Sequence, residues 1–255
     1  AKPADRRPLR EALWQERAPA AGSSGGAAPE GTPANCKRLI GFDWDCTLTV
    51  QHFFKVFAWG YAQGQDLSGP RCEAFVEWCK AHDKSFRGRG LGHQDDIMVE
   101  AVEDFCRQAG EDAFNAVVRE VFLGGPERIA LIASWLEEMR GAGVEFAIVT
   151  AGISATVLRA LTAVPEWLPF FGSSHIWDVS QGRHSIASVA GMKALILRDL
   201  CPKATRILLV DDSLCRDAPP PWVLQGAAVE TFELPYEGPG VTKDSLKAIE
   251  AAVLA

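Results

Sequence analysis

The sequence predicts an α/β fold: a doubly wound, Rossmann-like, mostly parallel sheet that carries a small all-helical cap domain. Two observations support this prediction. Short apolar runs alternate with amphipathic helical patterns, which is typical of parallel strands joined by right-handed crossovers. One long stretch after the first run has helical periodicity throughout, which indicates a helical insertion. With 255 residues, 47% of them hydrophobic, the chain is long and apolar enough for a sizeable core.

The predicted strands are short apolar runs that end at polar or turn-forming residues. They lie at 39–42, 144–149, 175–179, 207–210 and 227–232. Helical patterns follow most of them, at 126–141, 154–163, from Lys193 onward and at 242–254. Pro126 suits the first turn of its helix, since proline needs no amide partner there.

The order of these patterns divides the chain into three parts. Residues 1–35 are rich in Ala, Pro, Gly, Ser and Arg, and such a segment cannot bury enough apolar surface to fold alone. We therefore expect a flexible extension, which could dock on a protein partner. Residues 36–50 and 124–255 form the predicted core, and residues 51–123 form the predicted helical cap.

Composition limits the classes of partner. The formal charge is −7, so the chain has no overall basic surface for a nucleic acid, and no apolar run reaches the ~20 residues that span a bilayer. Seven irregularly spaced cysteines predict free thiols in a reducing compartment. We expect a soluble intracellular protein, either cytoplasmic or in an organelle after removal of a transit peptide.

The most informative motif is Asp43-Trp44-Asp45-Cys46-Thr47, which directly follows the first predicted strand. In an open α/β sheet, the carboxyl ends of the strands face the ligand crevice. One carboxylate can attack phosphorus while its neighbour moves protons. Thr47 is expected to tie down the loop that positions Asp45. Alone, this pattern also fits acidic residues that cap a turn.

Three further signals follow in order along the chain. Thr150 and Ala151 come at the end of the second long strand, Lys193 begins a helix, and the Asp211–Asp212 pair follows the strand at 207–210. Each has a structural alternative: a capping threonine, a surface lysine and a solvated turn. Parallel strands would bring these loops to one rim.

Together the four motifs closely resemble those of the haloacid dehalogenase superfamily, over about residues 38–235. Thr150-Ala151-Gly152 and Gly191-Met192-Lys193 resemble its phosphoserine-phosphatase-like branch. The resemblance implies a phosphatase, because an acid at the position of Asp45 is typical of the family's phosphatases.

The resemblance also implies a role for each candidate residue. Asp43 would be the nucleophile, and Asp45 the general acid and base. Thr150, Ala151 and Lys193 would hold the phosphate. A Mg²⁺ ion would be bound by the side chain of Asp43, the backbone carbonyl of Asp45, and Asp211 and Asp212, because such a hard cation prefers oxygen ligands.

The expected reaction is hydrolysis of a small phosphorylated metabolite through an aspartyl-phosphate intermediate, because a cap of this size would restrict access to the crevice. Two alternatives stay open. One is a protein phosphatase with a similar motif. The other is a non-catalytic assembly subunit that keeps the fold.

Overall fold

Five parallel strands form the sheet of this computed structural model, in the order β3-β2-β1-β4-β5. They are β1 (Arg38–Phe42), β2 (Val144–Thr150), β3 (Ile176–Asp178), β4 (Arg206–Asp211) and β5 (Val229–Glu233). The structure describes residues 36–59, 73–87, 94–172, 175–179, 188–225 and 229–255. The predicted α/β class with a parallel sheet is confirmed, and each predicted strand is present with bounds shifted by one or two residues.

The described α-helices number nine. They are α1 (Phe53–Trp59), α2 (Glu73–Arg87), α3 (Gln94–Ala109), α4 (Glu111–Val117), α5 (Pro126–Gly141), α6 (Ser154–Leu161), α7 (Val189–Leu200), α8 (Pro221–Gln225) and α9 (Lys243–Leu254). Pro126 lies in the first turn of α5, as predicted. Within the part of the chain that the structure describes, no helix is both long enough and apolar enough to cross a bilayer.

Alternating strand residues pack into two separate hydrophobic clusters, which lie on opposite faces of the sheet. One cluster contains strand residues together with α5, α9 and the helices between β1 and α5; its buried strand members are Ile40, Phe42, Val144, Phe146, Ile148, Ile176, Leu208 and Val210. The other contains α7; its buried strand members are Leu39, Ala147, Val149, Ile207, Leu209 and Val229. Because both faces are covered, the sheet is doubly wound, as predicted.

The strand order reverses at β1. The chain runs from β1 to β2 and β3 on one side, then returns to place β4 and β5 on the other side. Phe42 at the end of β1 is level with Ile148 of β2 and Val210 of β4. In open α/β sheets, ligands bind beyond the carboxyl ends of the strands at such a reversal. Asp43 and Asp211 are the residues that follow at this point.

The described part of the segment between β1 and α5 is helical. Its helices pack around Phe57, whose ring centroid lies 4.9–6.1 Å from those of Phe53, Phe75, Phe105, Phe114 and Phe122. These rings belong to the same hydrophobic cluster as one face of the sheet. The assignment of 51–123 to a separate cap domain stays a prediction. The predicted extension at 1–35 lies outside the described residues.

The cysteines depart from the expectation of free thiols at one pair. Cys36, just before β1, forms a disulfide with Cys201, just after α7, with their Cα atoms 6.4 Å apart. The prediction of free thiols was wrong for this pair. Because 165 residues separate the two cysteines in sequence, their local spacing gives no sign of the contact. Among the described cysteines, Cys46, Cys106 and Cys215 are free thiols.

We predict that Gly41→Ala destabilises the protein by about 1–3 kcal/mol, because it overpacks the core. A Cβ atom at Gly41 would lie 2.3 Å from Leu197 Cδ1, and Leu197 is fully buried. Gly141→Ala is the matched control, because a Cβ atom there meets nothing within 4 Å. The measurement is urea unfolding, and equal midpoints for the two variants would contradict the packing described here.

Candidate active site

Asp43 follows β1 directly and is buried, with 6% of its surface exposed. Its amide donates to the carbonyl of Val210 (2.9 Å), which joins the start of the loop to β4. Burial, reinforced by Asp211 and Asp45, raises the pKa of Asp43 to about 7, although Lys193 opposes this shift. A carboxyl group with so high a pKa lies in a site that favours an additional positive charge.

The loop after Asp43 folds back on itself through a threonine. Cys46 adopts a positive φ of 55°, and its amide donates to Thr49 Oγ1 (2.9 Å). The same hydroxyl lies 3.0 Å from the carbonyl of Trp44. The residue that ties down the loop is therefore Thr49. The prediction for Thr47 was wrong: its hydroxyl is buried and has no hydrogen-bond partner among the described residues.

Asp45 contacts the start of the helical insertion. Its Oδ1 accepts a hydrogen bond from the amide of Phe53, the first residue of α1 (2.6 Å). Its Oδ2 lies 3.2 Å from His52 Nδ1. Burial alone would lower the pKa of His52, but the Asp45 charge outweighs burial and raises it. No sequence signal marked His52, because a single histidine has no diagnostic spacing.

Lys193 is a buried cation between two carboxylates, which excludes the alternative of a surface lysine. Its side chain is 1% exposed, and its Nζ lies 2.7 Å from Asp211 Oδ2 and 3.0 Å from Asp43 Oδ1. Burial would lower the pKa of Lys193, but the two carboxylates outweigh it and raise the pKa. The ammonium therefore stays charged and balances part of the acidic cluster.

The first turn of α7, which carries Lys193, is held by two side chains. Ser188 caps the helix and accepts from the amide of Gly191 (3.0 Å). Asp217, in the loop after β4, accepts from the amide of Ala190 (2.7 Å). Polar side chains at these positions satisfy amides that the helix leaves unpaired. They fix the turn from which Lys193 reaches Asp43.

Asp211 and Asp212 differ in their surroundings. Asp211 is fully buried and accepts from the amide and hydroxyl of Ser213 (2.8 and 2.7 Å). Burial would raise its pKa, but Lys193 and Ser213 outweigh burial and lower it. For Asp212, burial is the main cause of a raised pKa. Both acids are buried, so the alternative of a solvated turn is excluded.

Glu237 is a further residue at this site that sequence patterns did not reveal. Its amide donates to Asp212 Oδ2 (2.9 Å), and its carboxylate accepts from Lys55 of α1 (2.6 Å). Its φ is 48°, a left-handed conformation that costs energy for a residue other than glycine. Glu237, in the segment after β5, thus contacts both an acid of the cluster and the helical insertion.

Thr150 ends β2 and is buried, at 1% exposed. Its hydroxyl accepts from the amide of Gly152 (2.9 Å), which closes a tight turn around Ala151. An added Cβ at Gly152 would lie 4.0 Å from Asp45 Oδ2, so this turn lies beside Asp45. Phosphate binding by Thr150, Ala151 and Lys193 stays a prediction.

The acidic cluster has the composition of a hard-cation site. One carboxylate oxygen from each of Asp43, Asp211 and Asp212 lies within 4.8 Å of the other two. The Oδ1 atom of Asp43 is buried and accepts no well-aligned hydrogen bond from the described residues. An all-oxygen set of buried carboxylates fits Mg²⁺ better than a softer metal. Binding by the backbone carbonyl of Asp45 stays a prediction.

No protein-family model and no curated protein matches this chain. Solved structures that resemble it include the HAD domain of effector Lem4 from Legionella pneumophila, with 16% identity, a TM-score of 0.38 and coverage of 86% of this chain and 97% of that one. A haloacid dehalogenase-like family hydrolase from Xanthomonas campestris has 17% identity, a TM-score of 0.38 and the same coverage.

A haloacid dehalogenase-like family protein from Streptococcus pneumoniae has 16% identity, a TM-score of 0.39 and coverage of 82% of this chain and 90% of that one. At such identities and TM-scores the likeness says nothing about substrate or chemistry.

We predict that Lys193→Met destabilises the metal-free protein by about 3–5 kcal/mol at pH 7, because it leaves buried carboxylates without their cation. The pKa of Lys193 is raised in the folded protein, so the ammonium itself is charged at both pH 7 and pH 5. The loss should be smaller at pH 5, since Asp43, whose pKa is already about 7, is protonated there.

The measurement is chemical unfolding in EDTA at both pH values. The exposed Lys247→Met variant is the control, and it should stay within about 0.5 kcal/mol of the wild type. If the two variants lose the same stability at pH 7, the buried ion pairs are not as described.

Proposed function

We propose that this chain is a Mg²⁺-dependent phosphatase that hydrolyses a small phosphomonoester through an aspartyl-phosphate intermediate. One observation carries the proposal. Asp43, at the reversal of the sheet, lies within contact of Lys193 and shares an acidic cluster with Asp211 and Asp212. Phosphoryl transfer needs positioning and positive charge around the transferring group more than it needs covalent chemistry.

In the first step, an oxygen of Asp43 attacks phosphorus and the bond from phosphorus to the leaving oxygen breaks. Asp45 gives its proton to that oxygen, so the product leaves as a neutral alcohol. The carboxyl end of β1 supports this division of roles, because it places the two acids two residues apart with different partners. The products of this step are the alcohol and the acyl phosphate on Asp43.

In the second step, Asp45 takes a proton from a water molecule, whose oxygen attacks the phosphorus of the acyl phosphate. The bond between phosphorus and the Asp43 oxygen breaks, which releases inorganic phosphate and regenerates the Asp43 carboxylate. Asp45 then holds the proton that the next cycle needs. The same side chain thus acts as acid and base in turn.

Positive charge is the main electrostatic requirement of both steps. Asp43, Asp211 and Asp212 would hold a Mg²⁺ ion, with the backbone carbonyl of Asp45 by resemblance. A bound Mg²⁺ ion would neutralise charge on the phosphate oxygens and on Asp43. Lys193 supplies a second, permanent positive charge beside the nucleophile. The Thr150 turn would bind the phosphate with hydroxyl and amide donors.

The contacts between the helical insertion and the site favour a small substrate. The first amide of α1 contacts Asp45, and Lys55 of α1 contacts Glu237. Because the insertion touches the site at two places, it would limit the size of the molecule that reaches Asp43. A phosphorylated metabolite therefore ranks before a phosphoprotein. The assembly-subunit alternative predicts no turnover, and the tail at 1–35 would then be the segment to test for a partner.

The test is hydrolysis of p-nitrophenyl phosphate, followed by a panel of phosphorylated metabolites. We expect turnover with Mg²⁺, none in EDTA, and recovery when Mg²⁺ is added back. Asp43→Asn should lower kcat by at least about 10³-fold, because it removes the nucleophile. The matched control is Asp244→Asn, at an exposed acid in the first turn of α9, which should keep wild-type kcat.

Binding of the ion is measured separately. Mg²⁺ should raise the melting temperature of the wild type, because a ligand that binds only the folded state stabilises it. Asp211→Asn should reduce that shift. A wild type that binds Mg²⁺ but hydrolyses no member of the panel would contradict the phosphatase and favour the assembly alternative.

A further inference from the structure

Arg128, in the first turns of α5, donates to backbone carbonyls from three separate segments. Its Nη1 donates to the carbonyls of Leu48 (2.8 Å) and Leu123 (3.1 Å). Its Nε donates to the carbonyl of Val241 (3.2 Å), and its Nη2 donates to that of Thr47 (3.4 Å). A single side chain therefore joins the loop after Asp43, the segment before α5 and the segment before α9.

Two of these segments are the connections of the helical insertion to the sheet domain. The chain leaves through Leu48 and Val50 and returns through Phe122 and Leu123. The two connections are joined directly, because the amide of Val50 donates to the carbonyl of Phe122 (2.7 Å). Arg128 donates a hydrogen bond to one carbonyl in each connection, that of Leu48 and that of Leu123.

The guanidinium group of Arg128 is largely buried. No carboxylate among the described residues contributes to the shift of its pKa. Burial alone lowers the pKa of Arg128 to about 10, so the group is still charged at neutral pH. A buried cation without a carboxylate is costly unless polar groups solvate it. The four carbonyl dipoles supply that solvation. The planar array of five N–H donors suits several carbonyls at once, and a lysine ammonium does not.

The backbone next to Arg128 is shaped to admit it. Gly240 adopts a φ of 67°, and a Cβ atom there would lie 2.8 Å from Arg128 Nη2 and 2.5 Å from the carbonyl oxygen of Thr47. The neighbouring amide of Val241 donates to the same carbonyl (2.8 Å). Only glycine allows this segment to approach both the loop and the guanidinium group.

We propose that Arg128 is a positioning residue for the reaction. It holds the loop that carries Asp43 and Asp45 in one fixed relation to both connections of the insertion. Asp45 is followed by Cys46, Thr47 and Leu48. The positions of the Thr47 and Leu48 carbonyls therefore determine where Asp45 lies. This inference rests on the proposed phosphatase activity, since displacement of Asp45 by as little as 1 Å would lower the rate of proton transfer.

The test compares Arg128→Met and Arg128→Lys with Arg119→Met. Arg119 lies in the return part of the insertion and binds Glu166 through two hydrogen bonds and the carbonyl of Ala163 through a third. It is a matched control, because its loss removes a similar number of hydrogen bonds without touching the loop after Asp43.

We expect Arg128→Met to lower kcat about 30-fold or more at saturating Mg²⁺ while KM stays within about 3-fold, because positioning rather than binding is lost. Arg119→Met should keep kcat within about 3-fold. Arg128→Lys keeps the charge but not the donor geometry, and it should also lose kcat. It serves as the second variant if Arg128→Met does not fold.

Hydrogen exchange gives a readout that needs no enzymatic activity. Amides in 44–50 and that of Val241 should exchange faster in the Arg128 variants, while amides of α9 keep their wild-type rates. If the wild type has no turnover, the phosphatase proposal fails, but this measurement still tests whether Arg128 fixes the loop. Three results would overturn the inference: unchanged exchange in 44–50, wild-type kcat in Arg128→Lys, or equal losses of kcat in the two methionine variants.

Discussion

The contact of Lys193 with Asp43 and Asp211 is the interaction on which the rest of the site depends. Carboxylates outnumber this one ammonium in the cluster, and burial strengthens the repulsion between like charges. Burial first, and then the carboxylates of Asp211 and Asp45, raise the pKa of Asp43. As the proposed nucleophile, Asp43 must be ionised at neutral pH, so the proposed reaction needs a further cation. The same excess of negative charge that weakens the free protein would therefore favour a bound divalent ion.

The packing of α7 on β1 explains how the lysine reaches its partners. Lys193 and Leu197 are four residues apart and so lie on the same face of α7. Leu197 fits against Gly41, where no side chain is in the way, and Gly41 lies two residues before Asp43. The close approach of helix and strand at Gly41 thus brings the ammonium onto the carboxylate. The geometry of the proposed site and the packing of the core thus depend on the same contact, so a methyl group added at Gly41 would also displace Lys193.

The sequence predicted the parts of this molecule whose signal is local. Apolar runs marked the strands, and polar residues at the ends of the runs marked Asp43, Thr150 and Asp211, since parallel strands bring such positions to one edge. Other contacts lack any local pattern. The hydroxyl of Thr49 rather than Thr47 closes the loop because of the positive φ at Cys46, and backbone conformation cannot be inferred from residue type alone. Glu237, Arg128 and the Cys36–Cys201 disulfide join segments far apart in sequence, so only the folded chain reveals them.

The insertion and the acidic cluster are connected at two independent points. The first amide of α1 holds Asp45, while Lys55, two residues later in the same turn, holds Glu237, whose amide holds Asp212. The proposed proton-transfer group and a proposed metal ligand are thus both attached to one short helix. Any displacement of α1 must alter the surroundings of both acids together, since neither contact can lengthen without losing its hydrogen bond. The strained backbone of Glu237 fits this interpretation, because a costly conformation persists only where the contacts on both sides of it require that geometry.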